Sequence, residues 1–148
     1  MARLHRHIEL QTDPDIEIYN LADQVQELVN ESGITQGQAL VFSCHTTTAI
    51  AINEYEERLL HDLKLYLQKL APPAGRYRHN DLHLRDVPED EPINAHSHLM
   101  AMTMGSSEVI PIIDGKLALG RYQALLFFEL DGPRDRRLLV QISGESGE

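Results

Sequence analysis

The last third of the chain most strongly constrains the fold, because it consists of short apolar segments separated by turn residues. Val109–Ile113 and Leu117–Leu119 flank Asp114-Gly115, a dipeptide that favours a tight turn between antiparallel strands. A further strand is predicted from Tyr122 to Leu130, and a final one covers Leu138–Ile142. This part of the chain is therefore expected to form antiparallel sheet.

The first two thirds mix strands with helices. Apolar residues recur at helical spacing before a terminating glycine, at Ile18, Leu21, Val25, Leu28, Val29 and then Gly33. Two more helices are expected over Tyr55–Leu70 and Asn94–Met104, and strands over Leu4–Leu10, Ala39–Ser43 and Ala49–Asn53. Residues 74–92 show no periodicity and are expected to form a long loop. These elements predict one α+β domain over residues 1–148, a mostly antiparallel β-sandwich with helices packed at one side.

Composition excludes several classes of protein. A chain of 148 residues can bury a substantial core. The formal net charge of −10 argues against binding to nucleic-acid backbones. No stretch approaches the roughly 20 apolar residues that a membrane-spanning helix needs. The N-terminus lacks the apolar region of a secretory signal, and the single cysteine, Cys44, fits a reducing cytoplasm. We expect Cys44 to be a small core residue.

A polar cluster follows the strand that ends at Ser43. His45 is either a ligand at a pocket or a structural residue beside the core. Thr46, Thr47 and Thr48 either donate hydrogen bonds to an anion or are ordinary strand residues. Glu54 could act as a general base or metal ligand, or belong to the acidic first turn of the next helix.

Two further histidine clusters lie downstream. His79 and Asp81 fall in the irregular loop, and His96 and His98 fall in the third predicted helix. Residues two apart on a helix point about 200° apart, so only one of His96 and His98 can face a given site. The apolar neighbours of His98 favour that residue, which could equally pack its ring on the core.

The chain offers one basic cluster, Arg134, Arg136 and Arg137. Guanidinium groups suit bidentate phosphate binding, whereas the composition alone favours a solvated turn.

The order of these motifs resembles the YjbQ-like family, which is associated with a secondary thiamine-phosphate synthase activity. The segments that carry the resemblance, over about residues 8–144, are the His45 turn, Ile52-Asn53-Glu54, Tyr77-Arg78-His79-Asn80, Asn94 with His98, Gly105-Ser106, Leu119-Gly120 with Gln123, and Glu129-x-Asp131-Gly132-Pro133-Arg134-x-x-Arg137. Gly120-Arg121-Tyr122 departs from the family's Gly-[Ser/Thr]-Trp, and His96 stands where members often have Asp.

The resemblance implies a homotrimer with a pocket near the subunit contacts. By position, the resemblance assigns the residues of this pocket to three roles. The metal ligands would be His45, His79 and His98, and the catalytic positions would be Glu54, Asp81 and Gln123. The phosphate-binding positions would be Thr46, Thr47, Thr48, Arg134 and Arg137. A divalent metal such as Zn or Mg would assist the joining of a pyrimidine pyrophosphate to a thiazole phosphate. The alternatives are a trimeric module that binds a metal or metabolite without turnover, and a purely structural trimer.

Overall fold

The structure, a computed structural model that describes residues 1–147, is an α+β fold of two antiparallel sheets and three α-helices. The strands in this range are β1 (Ala2–Gln11), β2 (Asp15–Asn20), β3 (Ile34–Ser43), β4 (Thr48–Asn53), β5 (Ser107–Ile113), β6 (Lys116–Leu117), β7 (Ala124–Gly132) and β8 (Asp135–Ser146). The helices are α1 (Ala22–Ser32), α2 (Glu57–Leu70) and α3 (Ala95–Met104), with single 3-10 turns at Arg78–Asn80 and Leu82–Leu84.

The strands divide between a large and a small sheet. The five-stranded sheet has the order β1-β8-β3-β5-β6, and the three-stranded sheet has the order β2-β7-β4. Every strand pair in the described residues is antiparallel. The predicted α+β class is confirmed.

The small sheet is covered on both faces. Leu125 and Phe127 of β7 face the large sheet, where they pack in one core cluster with Val25 of α1. Leu126 and Phe128 face the other way, in a second cluster with buried residues of α2 and α3. All residues from Ala124 to Leu130 are consequently buried, which explains why this strand is apolar without alternation.

Local turn and cap chemistry follows the sequence. Asp114 and Gly115 have φ values of 51° and 78°, so both adopt the left-handed conformation of the predicted hairpin turn. Gly33 ends α1 with φ of 70°. The side chain of Glu56 accepts hydrogen bonds from the N–H groups of Arg58 and Leu59 at the start of α2.

Four expectations were wrong in detail. Ile18 belongs to β2, because Ile16 and Ile18 alternate into the core against β7, and α1 begins only at Ala22. The strand predicted from Tyr122 begins at Ala124. Residues 74–92 are not a structureless loop but contain the two 3-10 turns. Cys44 is exposed rather than in the core, because β3 ends one residue before it.

Replacing Phe127, which has no exposed surface, tests the core between the sheets. Phe127→Ala is expected to lower the free energy of unfolding by about 3–5 kcal/mol, since it leaves a cavity in close-packed surroundings. Urea denaturation measures this loss. The control Tyr66→Ala removes a ring that is 61% exposed and should cost less than about 1 kcal/mol. Equal losses for the two variants would contradict the assigned core.

Candidate functional site

A buried ion pair lies beneath the candidate site. Arg136 donates through Nε to Glu129 Oε1 (2.7 Å) and through Nη2 to Glu129 Oε2 (2.5 Å), and both side chains are almost fully buried. Glu129 also accepts from the hydroxyl of Thr12 (2.5 Å) and the N–H of Asp131 (2.9 Å). Burial alone raises the pKa of Glu129, but hydrogen bonds from Arg136, Thr12 and Asp131 outweigh it and hold the pKa below its ordinary value. Glu129 is therefore a charged, fully satisfied anchor.

His45 lies in the turn between β3 and β4, above this ion pair. Its Nε2 accepts a hydrogen bond from the N–H of Arg137 (2.8 Å). The neutral ring must therefore carry its proton on Nδ1. Burial lowers the pKa of His45, and the nearby charge of Arg136 lowers it further. The residue is thus a neutral donor.

His79 and His98 form a second imidazole group beside the first. Their ring centroids lie 4.7 Å apart with an interplanar angle of 79°, an edge-to-face contact. Burial lowers the pKa of His98, and the neighbouring His79 contributes to the shift. Nε2 of His79 is buried and has no hydrogen-bond partner among the described residues.

His45, Thr46 and His98 form a wall shared by two clefts. A cleft of about 410 Å³ lies on the β7–β8 side and includes Arg134. A cleft of about 420 Å³ lies on the α3 side and includes Met102. Volumes of this size suit a small metabolite. Since Thr46 is exposed, its hydroxyl is free to meet such a ligand.

A second charged group borders the first cleft. Asp131 accepts from Nη2 of Arg134 (2.9 Å) and from Nδ2 of Asn94 (2.7 Å), both through Oδ2. Sequence reasoning assigned no role to Asp131, Glu129 or Thr12. The sequence did contain one signal for the buried ion pair. Glu129 lies inside an apolar strand, and a carboxylate that is buried there needs a cationic partner.

Several of the residues predicted to bind phosphate or to act in catalysis either form hydrogen bonds within the protein or lie outside the two clefts. Thr47 accepts a hydrogen bond from Arg136 (2.9 Å), and the buried Thr48 hydroxyl bonds that of Ser43 (2.5 Å). Arg137 contributes its N–H to His45, while its side chain is exposed and borders a different depression. The side chain of Asp81 has no hydrogen bond within residues 1–147 and lies between the 3-10 turns.

Glu54 and Gln123 lie in a third cleft of about 360 Å³. This cleft is at the far end of β4 from His45, about 20 Å away at 3.3 Å per residue. Gln123 Oε1 accepts from the N–H of Gly120 (2.8 Å). One chain by itself therefore does not unite these predicted catalytic positions with the histidines.

The three imidazoles do not fit a shared metal ion within one chain. No group of three or more His, Cys, Asp or Glu residues in the described range is arranged to hold one. His45 has its Nε2 lone pair engaged by the N–H of Arg137, so Nδ1 carries the proton and offers no lone pair to a metal. Within one chain, His45 and His98 therefore contribute to a polar wall, and the role of the three histidines as metal ligands stays a prediction.

Comparison with known proteins places this geometry in a family. The model described as "UPF0047 protein YjbQ-like" matches residues 6–145. A UPF0047 protein of Methanothermobacter thermautotrophicus is 39% identical over 95% of this chain and 92% of its own. Another from Archaeoglobus fulgidus is 41% identical over 90% of this chain and 97% of its own.

Solved structures agree with this placement. A YbjQ-like protein of unknown function from Sulfolobus solfataricus superposes with a TM-score of 0.86 at 35% identity, covering 97% of this chain and 98% of that one. A YjbQ/UPF0047-family protein from Clostridium acetobutylicum superposes with a TM-score of 0.83 at 37% identity, covering 93% and 99%. Fold and site thus define a two-sheet α+β protein with a histidine-lined cleft. The chain belongs to the YjbQ-like UPF0047 family.

Within residues 1–147, every helix is too short or too polar to cross a membrane.

The two shifted histidines predict how stability depends on pH. Their folded-state pKa values lie below the unfolded value of about 6.5, so at pH values below about 6.5 the folded state binds fewer protons than the unfolded state. The free energy of unfolding should therefore be highest above pH 6.5 and decrease from pH 6.5 to 5.5. Urea midpoints across this range measure the slope.

The slope should be shallower in His98→Asn than in the matched variant His61→Asn, because His61 is exposed on α2. Identical slopes in both variants would contradict the assignment of His98 as a partly buried group with a lowered pKa.

Proposed function

We propose that the chain is an enzyme acting on a phosphorylated heteroaromatic small molecule, with an activity like that of thiamine-phosphate synthase. The observation that carries this proposal is the convergence of two neutral imidazoles, a free hydroxyl and a guanidinium on one cleft of about 410 Å³. Flat rings pack well beside imidazoles, and a phosphate needs several donors.

The donors are available without moving a buried charge. His45 offers its Nδ1–H and Thr46 its hydroxyl, while Arg134 offers the guanidinium atoms that Asp131 leaves free. Arg136 contributes indirectly, since its hydrogen bonds go to Glu129 and Thr47. The ligand would therefore be recognised mainly by neutral donors and one cation.

The proposed reaction forms one bond and breaks one. A ring nitrogen of the thiazole phosphate attacks the carbon that bears the pyrophosphate of the pyrimidine substrate. The C–N bond forms as the C–O bond breaks, and pyrophosphate leaves with the electron pair, so no proton transfer is needed. The donors in the cleft would stabilise the departing negative charge.

Homotrimeric assembly and a cytoplasmic location belong to the same proposal. In a trimer, Glu54 and Gln123 of one copy could approach the histidines of another, which is the arrangement that would give them the catalytic role implied by the resemblance. Asp81 would act from the 3-10 turns beside His79. The divalent metal stays a prediction that elemental analysis can test, and no step above depends on it.

A binding module without turnover is the second candidate. The observation in its favour is that two carboxylates near His45 and His98 are already paired, Glu129 with Arg136 and Asp131 with Arg134. Neither is free to serve as a general base. A cleft of this kind can hold a phosphorylated metabolite without converting it.

The synthase proposal predicts that purified protein converts a pyrimidine pyrophosphate and a thiazole phosphate into the joined product, detected by mass spectrometry with and without added Mg²⁺ or Zn²⁺. His45→Ala should lower the rate by about 10²-fold, because it removes a donor at the developing charge. His98→Ala should lower it as well.

The control variant His61→Ala alters an exposed histidine and should keep full activity. The substrates could stabilise the protein thermally while no product forms with or without added metal. That result would contradict the enzyme proposal and support the binding module. If the substrates cause no thermal stabilisation and no product forms, both candidate functions are overturned.

A further inference from the structure

We infer that Asp131, held by Asn94, is a positioning residue that aims Arg134 at an anionic group of the ligand. This inference rests on the proposed function, since it assigns the phosphate-recognising group of the same cleft. Asp131 itself does not touch the phosphate in this assignment.

The geometry fixes Arg134 at two atoms. Its Nε donates to the backbone carbonyl of Asp131 (2.9 Å), and its Nη2 donates to the carboxylate Oδ2 of the same residue (2.9 Å). Nη1 has no hydrogen-bond partner in the described residues. The side chain keeps 40% of its surface exposed beside the cleft. One edge of the guanidinium is therefore clamped, and the other is available to an anion.

Asn94 holds the carboxylate in turn. It occupies the residue before α3, where an asparagine side chain ordinarily caps the helix, yet it makes no capping hydrogen bond. Its Nδ2 donates instead to Asp131 (2.7 Å), and its Oδ1 is buried without a partner in the described chain. Asn80 Oδ1 accepts from the N–H of Ala95, the first residue of α3 (3.2 Å).

This arrangement carries a cost that a merely structural asparagine would avoid. Burying an unpaired carbonyl oxygen and losing a helix cap both lower stability. The hydrogen bond to Asp131 is what this residue gains. It connects α3, which carries His98, with the turn that carries Arg134. The two walls of the cleft are thereby held in a fixed relation.

Positioning and simple charge make opposite predictions for Asp131→Asn. Removing a negative charge next to Arg134 makes the cleft more positive, so a purely electrostatic effect would tighten anion binding. A weaker clamp would instead weaken binding, because a neutral amide oxygen accepts less strongly than a carboxylate and the ligand itself would have to order the guanidinium. The sign of the change therefore separates the two roles.

The experiment measures the affinity for inorganic pyrophosphate by calorimetry on the intact chain. Asp131→Asn and Asn94→Ala are each expected to weaken binding by about tenfold, the factor that corresponds to one modest hydrogen bond. The control Asp135→Asn removes the same charge from the first residue of β8, next to Arg134, where no hydrogen bond joins its side chain to Arg134, and should not weaken binding. Unchanged or tighter binding in Asp131→Asn would overturn the inference.

A second measurement keeps the inference testable if the wild-type chain binds no pyrophosphate, a result that would count against the proposed function. Nuclear magnetic relaxation of the Arg134 Nε–H group reports its order without any ligand. We expect an ordered group in the wild type and in Asp135→Asn, and a measurably less ordered one in Asp131→Asn, which keeps the backbone carbonyl that accepts from Nε but replaces the carboxylate that accepts from Nη2 with a neutral amide. A disordered group in the wild type, or no difference among the three, would overturn the positioning role.

Discussion

The rest of the site depends on the buried ion pair between Arg136 and Glu129. The pair and its hydrogen bonds join β7, β8, the end of β1 through Thr12, and the start of β4 through Thr47. A buried charge pair of this kind rarely adds net stability over an apolar pair. Removing one partner nevertheless lowers the free energy of unfolding strongly, because the other charge is left buried and unpaired. Its value here is geometric, since it fixes the relative positions of segments that are far apart in sequence. The His45 turn lies directly on this connection.

Strand alternation couples the ion pair to the histidine. Arg136 points inward to Glu129, so the next residue, Arg137, presents its side chain to the opposite face and its N–H to His45. One strand thus places a buried cation and sets the tautomer of an imidazole. These ion pairs also limit anion binding, because Glu129 and Asp131 neutralise the charges of Arg136 and Arg134, two of the three arginines in this cluster. Anion recognition is left to neutral donors and to the free edge of Arg134.

The elements that local chemistry dictates were predictable, and those set by distant contacts were not. The Asp114-Gly115 hairpin and the end of α1 at Gly33 followed from turn and cap preferences. The end of α3 before Gly105 was also predicted, whereas the capping role expected of Asn94 was wrong. Ile18 was misassigned because the spacing to Leu21 mimics a helix, whereas pairing with β7 decides its state. The resemblance grouped His45, His79 and His98, and the structure sets His98 beside His79 and in one cleft with His45. The partners of Glu129, Asp131 and Asn94 depend on long-range hydrogen bonds that no local pattern encodes.

The measurement that tests this account most directly is a double-mutant cycle on the ion pair, followed by urea denaturation. Glu129→Leu and Arg136→Met should each lower the free energy of unfolding by about 3–5 kcal/mol, because each leaves a buried charge without its partner. The double variant should recover much of that loss, since no unpaired charge is left. Single losses under about 1 kcal/mol, or losses that simply add, would contradict the claim that this pair holds the site together.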